Sequence, residues 1–485
     1  MADKANGKQV VIIGGGITGL STAYYLEQAA RAQGHSLTIT LLEADNRLGG
    51  KIKTDEIDDF VIEAGPDSFL VRKPQAVELC RELGIDGELV GTNPHNKKTY
   101  ILHEGKLHRI PQGLNIGIPT QFMPFATTGL LSMGGKLRAG LDLVLPKHQQ
   151  KGDQSLGAFL ERRLGKEVVD HMAEPLLAGI YAGDLRKLSL RATFPQFEQL
   201  EQNYGSLVRG MLAQAREAKA KAAVPQQPEL GQKPLPNSVF VTFPNGLERL
   251  IRGIADALTQ TDVRLSTAVE EITPREEGGY TVRLAAGETL TADAVVLTAP
   301  TFESAKLLPQ ELVSGSHLTQ VPYASVATCV LAFDKGVIDY PLDGTGFVIP
   351  HKEGTTITAC TWTSSKWSHT AKNGKVLMRF YVGRAGEEAI VDESDETIVA
   401  RVRADVKKIM GITAEPMFTR VARWRRSMPQ YTVGHLDRVK TFVDQAARDL
   451  PGVFFAGAGF TGLGIPDTIG QGKQTAGQIV SFLTK

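Results

Sequence analysis

The chain has 485 residues, 54 basic and 53 acidic side chains and a formal net charge of +1, so it can build a large core but has no charge surplus to attract nucleic acid. Its three cysteines show no C-x-x-C spacing and its ten histidines no H-E-x-x-H pair, which excludes a disulfide scaffold, suits a reducing compartment and leaves no metal expected. No signal peptide and no apolar run of the roughly 20 residues a bilayer span needs are evident, so a cytoplasmic protein of about three domain-sized units is expected.

The first element is a buried strand of branched apolar residues, Val10 to Ile13. After it, Gly14, Gly16 and Gly19 fit G-x-G-x-x-G, in which the first glycine permits a tight turn, the second a close pyrophosphate and the third helix–strand packing. The helix-forming run Leu20 to Arg31 follows and would turn its N-terminal N–H groups and dipole to phosphates. A second strand, Leu37 to Leu42, ends at Glu43, whose carboxylate can take both ribose hydroxyls of an adenosine. A carboxylate does not suit a 2′-phosphate, so NADP is disfavoured and FAD and NAD remain.

Next comes Asn46-Arg47-Leu48-Gly49-Gly50-Lys51, where the glycine pair lets backbone pass close to a ligand and the flanking cations can neutralise phosphate. The loop is similar to the R-x-G-G partner motif of amine-oxidase-type flavoproteins, which favours FAD over NAD. Phe60 to Ile62 is a short strand before the Gly- and Pro-rich loop Glu63 to Phe69. In the same flavoproteins that segment passes near the flavin ring. Arg72 and Lys73 read either as a charged surface turn or as cations at the mouth of the site, holding an anionic substrate.

Ala76 to Leu83 is a helix closed by Gly84, and Tyr100 to Pro111 a hairpin that begins a substrate-facing part. The apolar runs Phe122 to Met133 and Leu137 to Leu145 read as buried helices or a greasy wall beside a bulky ligand, with a monotopic membrane contact as the alternative. Ser155 caps a helix to Leu164, and a second helix, Lys166 to Leu177, ends or kinks at Glu174-Pro175. The stretch Ala178 to Ser189 is a constrained turn, Ser206 to Ala223 a basic helix with a solvated face, and Pro225 to Asn237 a flexible connection.

From Val239 the chain returns to the nucleotide part. Phe240 to Phe243 is a strand, Leu247 to Leu258 a helix, and Val263 to Ile272 a strand carrying Val269. A hairpin spans Tyr280 to Ala292, and Asp293 to Pro300 is a buried strand into a turn. Strands over Ala327 to Phe333, Gly346 to Ile349, Thr355 to Trp362 and Val376 to Val382 make a second sheet. Asp395 to Met410 is a helix, and Arg423 to Tyr431 a loop with Trp424 among three arginines. Val453 to Phe455 is a strand into a glycine turn, after which Gly464-Ile465-Pro466-Asp467 opens the last helix.

Taken together, Gly14 to Gly19, Arg47 to Lys51, Gly65 to Ser68, Gly179-Ile180-Tyr181-Ala182-Gly183-Asp184, Pro429-Gln430-Tyr431 and Gly464 to Asp467 resemble the porphyrinogen oxidases nearly end to end. Most closely they resemble the FAD-dependent coproporphyrinogen III oxidases of Gram-positive bacteria. The resemblance implies an α/β fold with a discontinuous Rossmann-like FAD-binding domain (8–90, 239–300 and 421–485), a sheet-containing substrate domain (91–114 and 301–420) and an inserted helical domain (115–238). It implies six-electron oxidation of coproporphyrinogen III to coproporphyrin III in haem biosynthesis. Hydride passes to flavin N5 in each two-electron step, and O2 is reduced to H2O2.

The same resemblance puts FAD contacts at Gly14, Gly15, Gly16, Ile17, Thr18 and Gly19; at Glu43, Ala44 and Arg47; at Gly65, Pro66, Asp67 and Ser68; and at Val269, Trp424, Ile465, Pro466 and Asp467. Gain of macrocycle aromaticity drives the reaction, so no strong base is demanded and no catalytic side chain is assigned. A substrate with four propionates calls for cations, for which Arg72, Lys73 and Lys187 are candidates, with Tyr381 as a ring-facing aromatic. Transient contact with the next haem-pathway enzyme and weak peripheral membrane contact are the further expected partners. The rivals are a protoporphyrinogen IX oxidase, an amine oxidase or carotenoid desaturase on the same scaffold, and a non-catalytic FAD-binding porphyrin carrier.

Overall fold

The computed structural model describes residues 7–34, 36–115, 117–148, 152–222 and 234–484. The strand Lys8–Ile13 is the middle of a five-stranded parallel sheet, because Val10 to Ile13 can be buried on both faces. Across that sheet the order is Thr261–Arg264, Leu37–Leu42, Lys8–Ile13, Ala294–Leu297 and Val453–Phe455. Strand order thus reverses at Lys8–Ile13, the place where an open parallel sheet leaves a ligand crevice at its carboxyl ends. The helices Ile17–Gln33 and Ile465–Leu483 pack side by side on one face; a Cβ on Gly472 would meet the Thr18 carbonyl at 2.9 Å, so only bare backbone permits the approach.

A second, seven-stranded sheet runs Phe418–Pro429, Tyr323–Asp334, Lys375–Val382, Ile357–Thr361, Gly344–Val348, Lys98–His103, Lys106–Arg109. The early hairpin joins it by parallel pairing of Lys98–His103 with Gly344–Val348, so chain segments far apart share one sheet. Residues 418–429 form its edge strand, not the expected loop, and run past residue 420, where the return to the nucleotide part was placed. Their arginines hide the strand pattern: Arg423 donates to the carbonyls of Val391 and Glu393, and the pairing with Tyr323–Asp334 shifts register between Ala324 and Val326.

The remaining expectations divide. Val263 to Ile272 is two strands in different sheets, Thr261–Arg264 and Val269–Pro274, broken at Ser266 with φ 50°. The helix from Lys166 does not stop at Pro175; it passes through a π turn, Val169–Ala173, and continues as Glu174–Tyr181. Leu207–Ala222 is not wholly solvated, since Leu207 and Met211 dock in the helical core. Of the expected connection Pro225 to Asn237, residues 225–233 lie outside the described ones.

The apolar runs after Pro119 do not become buried helices. Only Phe125, Leu130, Leu131 and Ala139 are buried, whereas Phe122, Met133, Leu137 and Val144 are 69–80% exposed. A break at residues 128–132 leaves two short helices, Phe122–Thr127 and Met133–Gly140, each able to bury one side only. Beneath them Asp142 and Arg163, both fully buried, pair at 2.5 Å, and Arg163 also donates to the carbonyls of Asp142, Leu145, Pro146 and Gly205. Among the described residues no helix is long and apolar enough to cross a membrane, and no His/Cys/Asp/Glu group could hold a metal ion.

Candidate active site

At the carboxyl end of Lys8–Ile13, Gly14 turns with φ +111°, a region that favours glycine. A Cβ on Gly19 would stand 1.9 Å from the Gly14 carbonyl oxygen, whereas one on Gly16 would meet nothing within 4 Å. The third glycine therefore packs helix on strand, and the second faces open space. No side chain caps the first turn of Ile17–Gln33 and no acid lies in it, which leaves its N–H groups and dipole to an anion. Glu43 accepts from the N–H of Gly15 at 2.6 Å and of Asp45 at 2.8 Å, so it braces the loop as well as facing the crevice.

A cavity of about 1780 Å³ extends from this turn to the seven-stranded sheet. That exceeds the roughly 300–1,000 Å³ of an ordinary small-molecule site and leaves room for two ligands end to end. Of the residues singled out for a dinucleotide, Gly14, Gly16, Ile17, Thr18, Glu43, Ala44, Gly65 to Ser68, Val269, Trp424 and Ile465 line it. Gly15, Gly19, Arg47, Pro466 and Asp467 do not. Arg47 turns inward instead and donates to the carbonyls of Leu48, Gly50 and Ile52, so its charge shapes the glycine loop. Asp467 accepts from the Gly464 N–H at 3.2 Å and pairs with Lys73 at 2.6 Å at the start of the last helix.

Midway along the cavity, Asp67 meets Lys366 at 2.9 Å and Arg379 at 3.3 Å. Burial alone pushes its carboxyl up, but the two cations outweigh that and hold it well below the usual range. Arg379 also donates to the carbonyls of Glu63 and Gly65, while Trp424 donates to Ala64 at 2.8 Å, which fixes the wall Glu63 to Gly65. Lys51 lines the same region with its ammonium on the Ser427 carbonyl, and burial pulls its pKa down to about 8. The Tyr381 ring lies beneath Arg379, 5.0 Å from its guanidinium carbon.

Of the four substrate candidates only Tyr381 lines the cavity. Arg72 and Lys187 lie exposed outside it, and Lys73 is committed to Asp467. The uncommitted cations are elsewhere. A side pocket of about 380 Å³ shares Lys97, Thr99, Leu176 and Ile180 with the cavity and is lined further by Arg109, Leu114 and Leu177. Neither Lys97 nor Arg109 forms a side-chain hydrogen bond or ion pair among the described residues, whereas Lys51, Lys306, Lys366 and Arg379 in the main cavity are each occupied. Sequence reasoning missed Lys97, Arg109, Lys366 and Arg379. Only Arg379 carried a signal, as a lone charge inside the apolar strand Lys375–Val382.

An open helix N-terminus, a glycine turn that a Cβ would obstruct and an acid at the end of the second strand fit a dinucleotide. The long cavity beyond them fits its reactive ring and a second, bulkier ligand. The model of the flavin-containing amine oxidoreductases matches residues 17–480. The chain is 45% identical over 476 residues to the coproporphyrinogen III oxidase of Bacillus subtilis, covering 98% of each, and 40% identical to that of Staphylococcus aureus, covering 98% of this chain and 100% of the other. To the chloroplastic protoporphyrinogen oxidase of Nicotiana tabacum it is 29% identical, covering 98% of this chain and 86% of the other. The crystal structure of a protein from Exiguobacterium sp. 255-15 superposes with a TM-score of 0.85 at 37% identity over 99% of both chains. Putrescine oxidase bound to putrescine shares the fold alone, with a TM-score of 0.65 at 16% identity over 98% of this chain and 99% of the other. The chain therefore belongs to the flavin-containing amine oxidoreductases, and within them to the family of the coproporphyrinogen III oxidases.

Proposed function

We propose that the protein uses FAD to oxidise coproporphyrinogen III to coproporphyrin III in haem biosynthesis, six electrons passing to three O2 to give three H2O2. FAD, when bound, supplies the two-electron acceptor and the reaction with O2. The free first turn of Ile17–Gln33 holds the pyrophosphate, and Glu43 the ribose. Asp67, locked by Lys366 and Arg379, keeps the wall Gly65 to Ser68 rigid beside the ring. Lys51, protonated below about pH 8, offers positive charge where the reduced ring gathers negative charge.

The observation that carries the substrate is the pair Lys97 and Arg109 against the apolar wall of Leu114, Leu176, Leu177 and Ile180. Unneutralised cations beside a greasy surface suit propionates on a tetrapyrrole edge. They hold the macrocycle so that its reacting carbon meets the oxidant; no base is needed at that carbon, because pyrrole protons leave as the ring becomes aromatic. The kinship to protoporphyrinogen oxidase supports a second reading, the analogue with two propionates and two vinyls.

The test is anaerobic addition of each porphyrinogen to the yellow holoprotein, followed by turnover in air. Coproporphyrinogen III is expected to bleach the flavin and to turn over faster. Faster turnover of protoporphyrinogen IX would select the second reading, and no bleaching by either would leave a carrier. We also propose peripheral contact of the exposed apolar segment with an anionic membrane surface, since its one acid, Asp142, is buried while Lys136 and Lys147 flank the apolar side chains; Arg138 instead donates to the carbonyls of Glu161 to Arg163.

A further inference from the structure

Between the strand Val453–Phe455 and the helix Ile465–Leu483 lies the glycine-rich wall of the cavity, of which Ala458, Gly459, Leu463 and Gly464 face the lumen. Three consecutive carbonyls of this wall are each taken by a different side chain from outside it. The Tyr431 hydroxyl donates to Ala458 at 2.6 Å, His317 Nε2 bonds Gly459 at 3.0 Å, and His435 Nε2 bonds Phe460 at 2.6 Å. The Gln471 amide completes the grip, accepting from the Gly457 N–H at 3.0 Å and donating to Thr461 at 2.6 Å.

A carbonyl can only accept, so both imidazoles carry their proton on Nε2. Their Nδ1 atoms are buried without a partner, which a bare acceptor tolerates better than an N–H would. The rings are 2% and 0% exposed and meet edge to face at 5.0 Å, and His435 stacks on Tyr431 at 4.0 Å. This polar cluster is one rigid block, and nothing in the chemistry described so far uses it.

Every peptide bond here is trans, so the N–H that follows a carbonyl points the opposite way. Carbonyls tied back at Ala458 and Phe460 therefore turn the N–H groups of Gly459 and Thr461 the other way, and neither donates to another group among the described residues. On the opposite wall the carbonyls of Glu63, Ala64 and Gly65 are likewise drawn away by Arg379 and Trp424. Both walls thus have their acceptors tied back, and on the first the Gly459 N–H is left over at the lumen, an arrangement suited to a ring that gains negative charge on its oxygens.

We propose that Tyr431, His317 and His435 are positioning residues that tie back the carbonyls of Ala458 to Phe460, so that this wall presents the Gly459 N–H, and not those carbonyl oxygens, to the flavin. The proposal rests on a flavin filling the cavity. Loss of one tie frees a carbonyl dipole to rotate toward the lumen, where it opposes the reduced ring and weakens its hold.

The experiment uses the holoenzyme and reads two quantities, the FAD dissociation constant and the flavin midpoint potential. Tyr431→Phe removes one oxygen, His435→Phe removes the donor while keeping a ring on Tyr431, and His435→Gln restores an amide donor at similar reach. Each Phe variant is expected to bind FAD roughly five- to tenfold more weakly and to show a more negative potential, both largely restored in His435→Gln. Unchanged potentials in both Phe variants would overturn the proposal. So would weaker binding that His435→Gln does not rescue, because that is the mark of packing alone. Should His435→Phe fail to fold, Tyr431→Phe decides on the same readouts. A wild-type protein that takes up no FAD would instead refute the flavin reading itself.

Discussion

Lys97 and Arg109 stand out among the charged residues of the site because no side chain among the described residues answers them. A charge-assisted hydrogen bond to a carboxylate contributes roughly 1.5–3 kcal/mol. Lys97→Ala and Arg109→Ala are each expected to raise KM for coproporphyrinogen about tenfold or more with little change in kcat, the pattern of lost uniform binding. Lys187→Ala, on the surface, should change neither; steady-state kinetics on the three variants checks this. A second residue-scale expectation concerns His435. Burial lowers its pKa to about 4, well under the ordinary imidazole value, so over that interval the unfolded chain binds a proton that the folded one refuses. Stability from this residue is complete above about pH 6.5 and is lost as pH falls toward 4, by about 3 kcal/mol. Denaturant unfolding at pH 7 and pH 4 should show His435→Phe with the smaller drop. The glycines of the first turn were legible in the sequence because backbone geometry demands them locally. Lys97 and Arg109 were not, since what marks them is the absence of partners, which only the assembled fold reveals.

Single elements were legible where one physical rule governs them. The strands Lys8–Ile13 and Leu37–Leu42 are continuous apolar runs, and Ser394 caps the helix Asp395–Met410 by accepting from the Thr397 N–H at 3.2 Å. The edge strand Phe418–Pro429 was missed because its arginines find tertiary partners, Arg423 the carbonyls of Val391 and Glu393 and Arg425 the carboxylate of Asp392, and such partners outweigh local pattern. The segment from Phe122 to Leu145 misled in the other direction. Apolar composition suggested burial, but the break at residues 128–132 leaves short helices with Phe122, Met133, Leu137 and Val144 in the open. The buried Asp142–Arg163 pair anchors this segment from below and removes its one negative charge from the surface. The protein is expected to sediment with vesicles containing phosphatidylglycerol and not with neutral phosphatidylcholine ones. A variant with serine at those four positions should stay in the supernatant while retaining its fold and its flavin.

At the scale of the whole molecule, the five-stranded parallel sheet draws Lys8–Ile13, Ala294–Leu297 and Val453–Phe455 together from the start, middle and end of the chain. Motifs at both ends pointed to a discontinuous first part, and its sheet draws on distant segments. They could not disclose that the Lys98–Arg109 hairpin pairs with a strand more than 200 residues later, because pairing partners leave no local trace. The helix Ile465–Leu483 lies against Ile17–Gln33, with Gly472 on the Thr18 carbonyl, so the glycine-turn end of the cavity is walled by a segment made more than 400 residues after the turn itself. A ribosome translating this message therefore carries a chain with the nucleotide turn already made but its lid still unwritten. Coenzyme loading is expected to wait until the helix Ile465–Leu483 has left the ribosome and packed on Ile17–Gln33. A version ending at Gly464 should emerge colourless and protease-sensitive, and adding free FAD during translation should protect only full-length product.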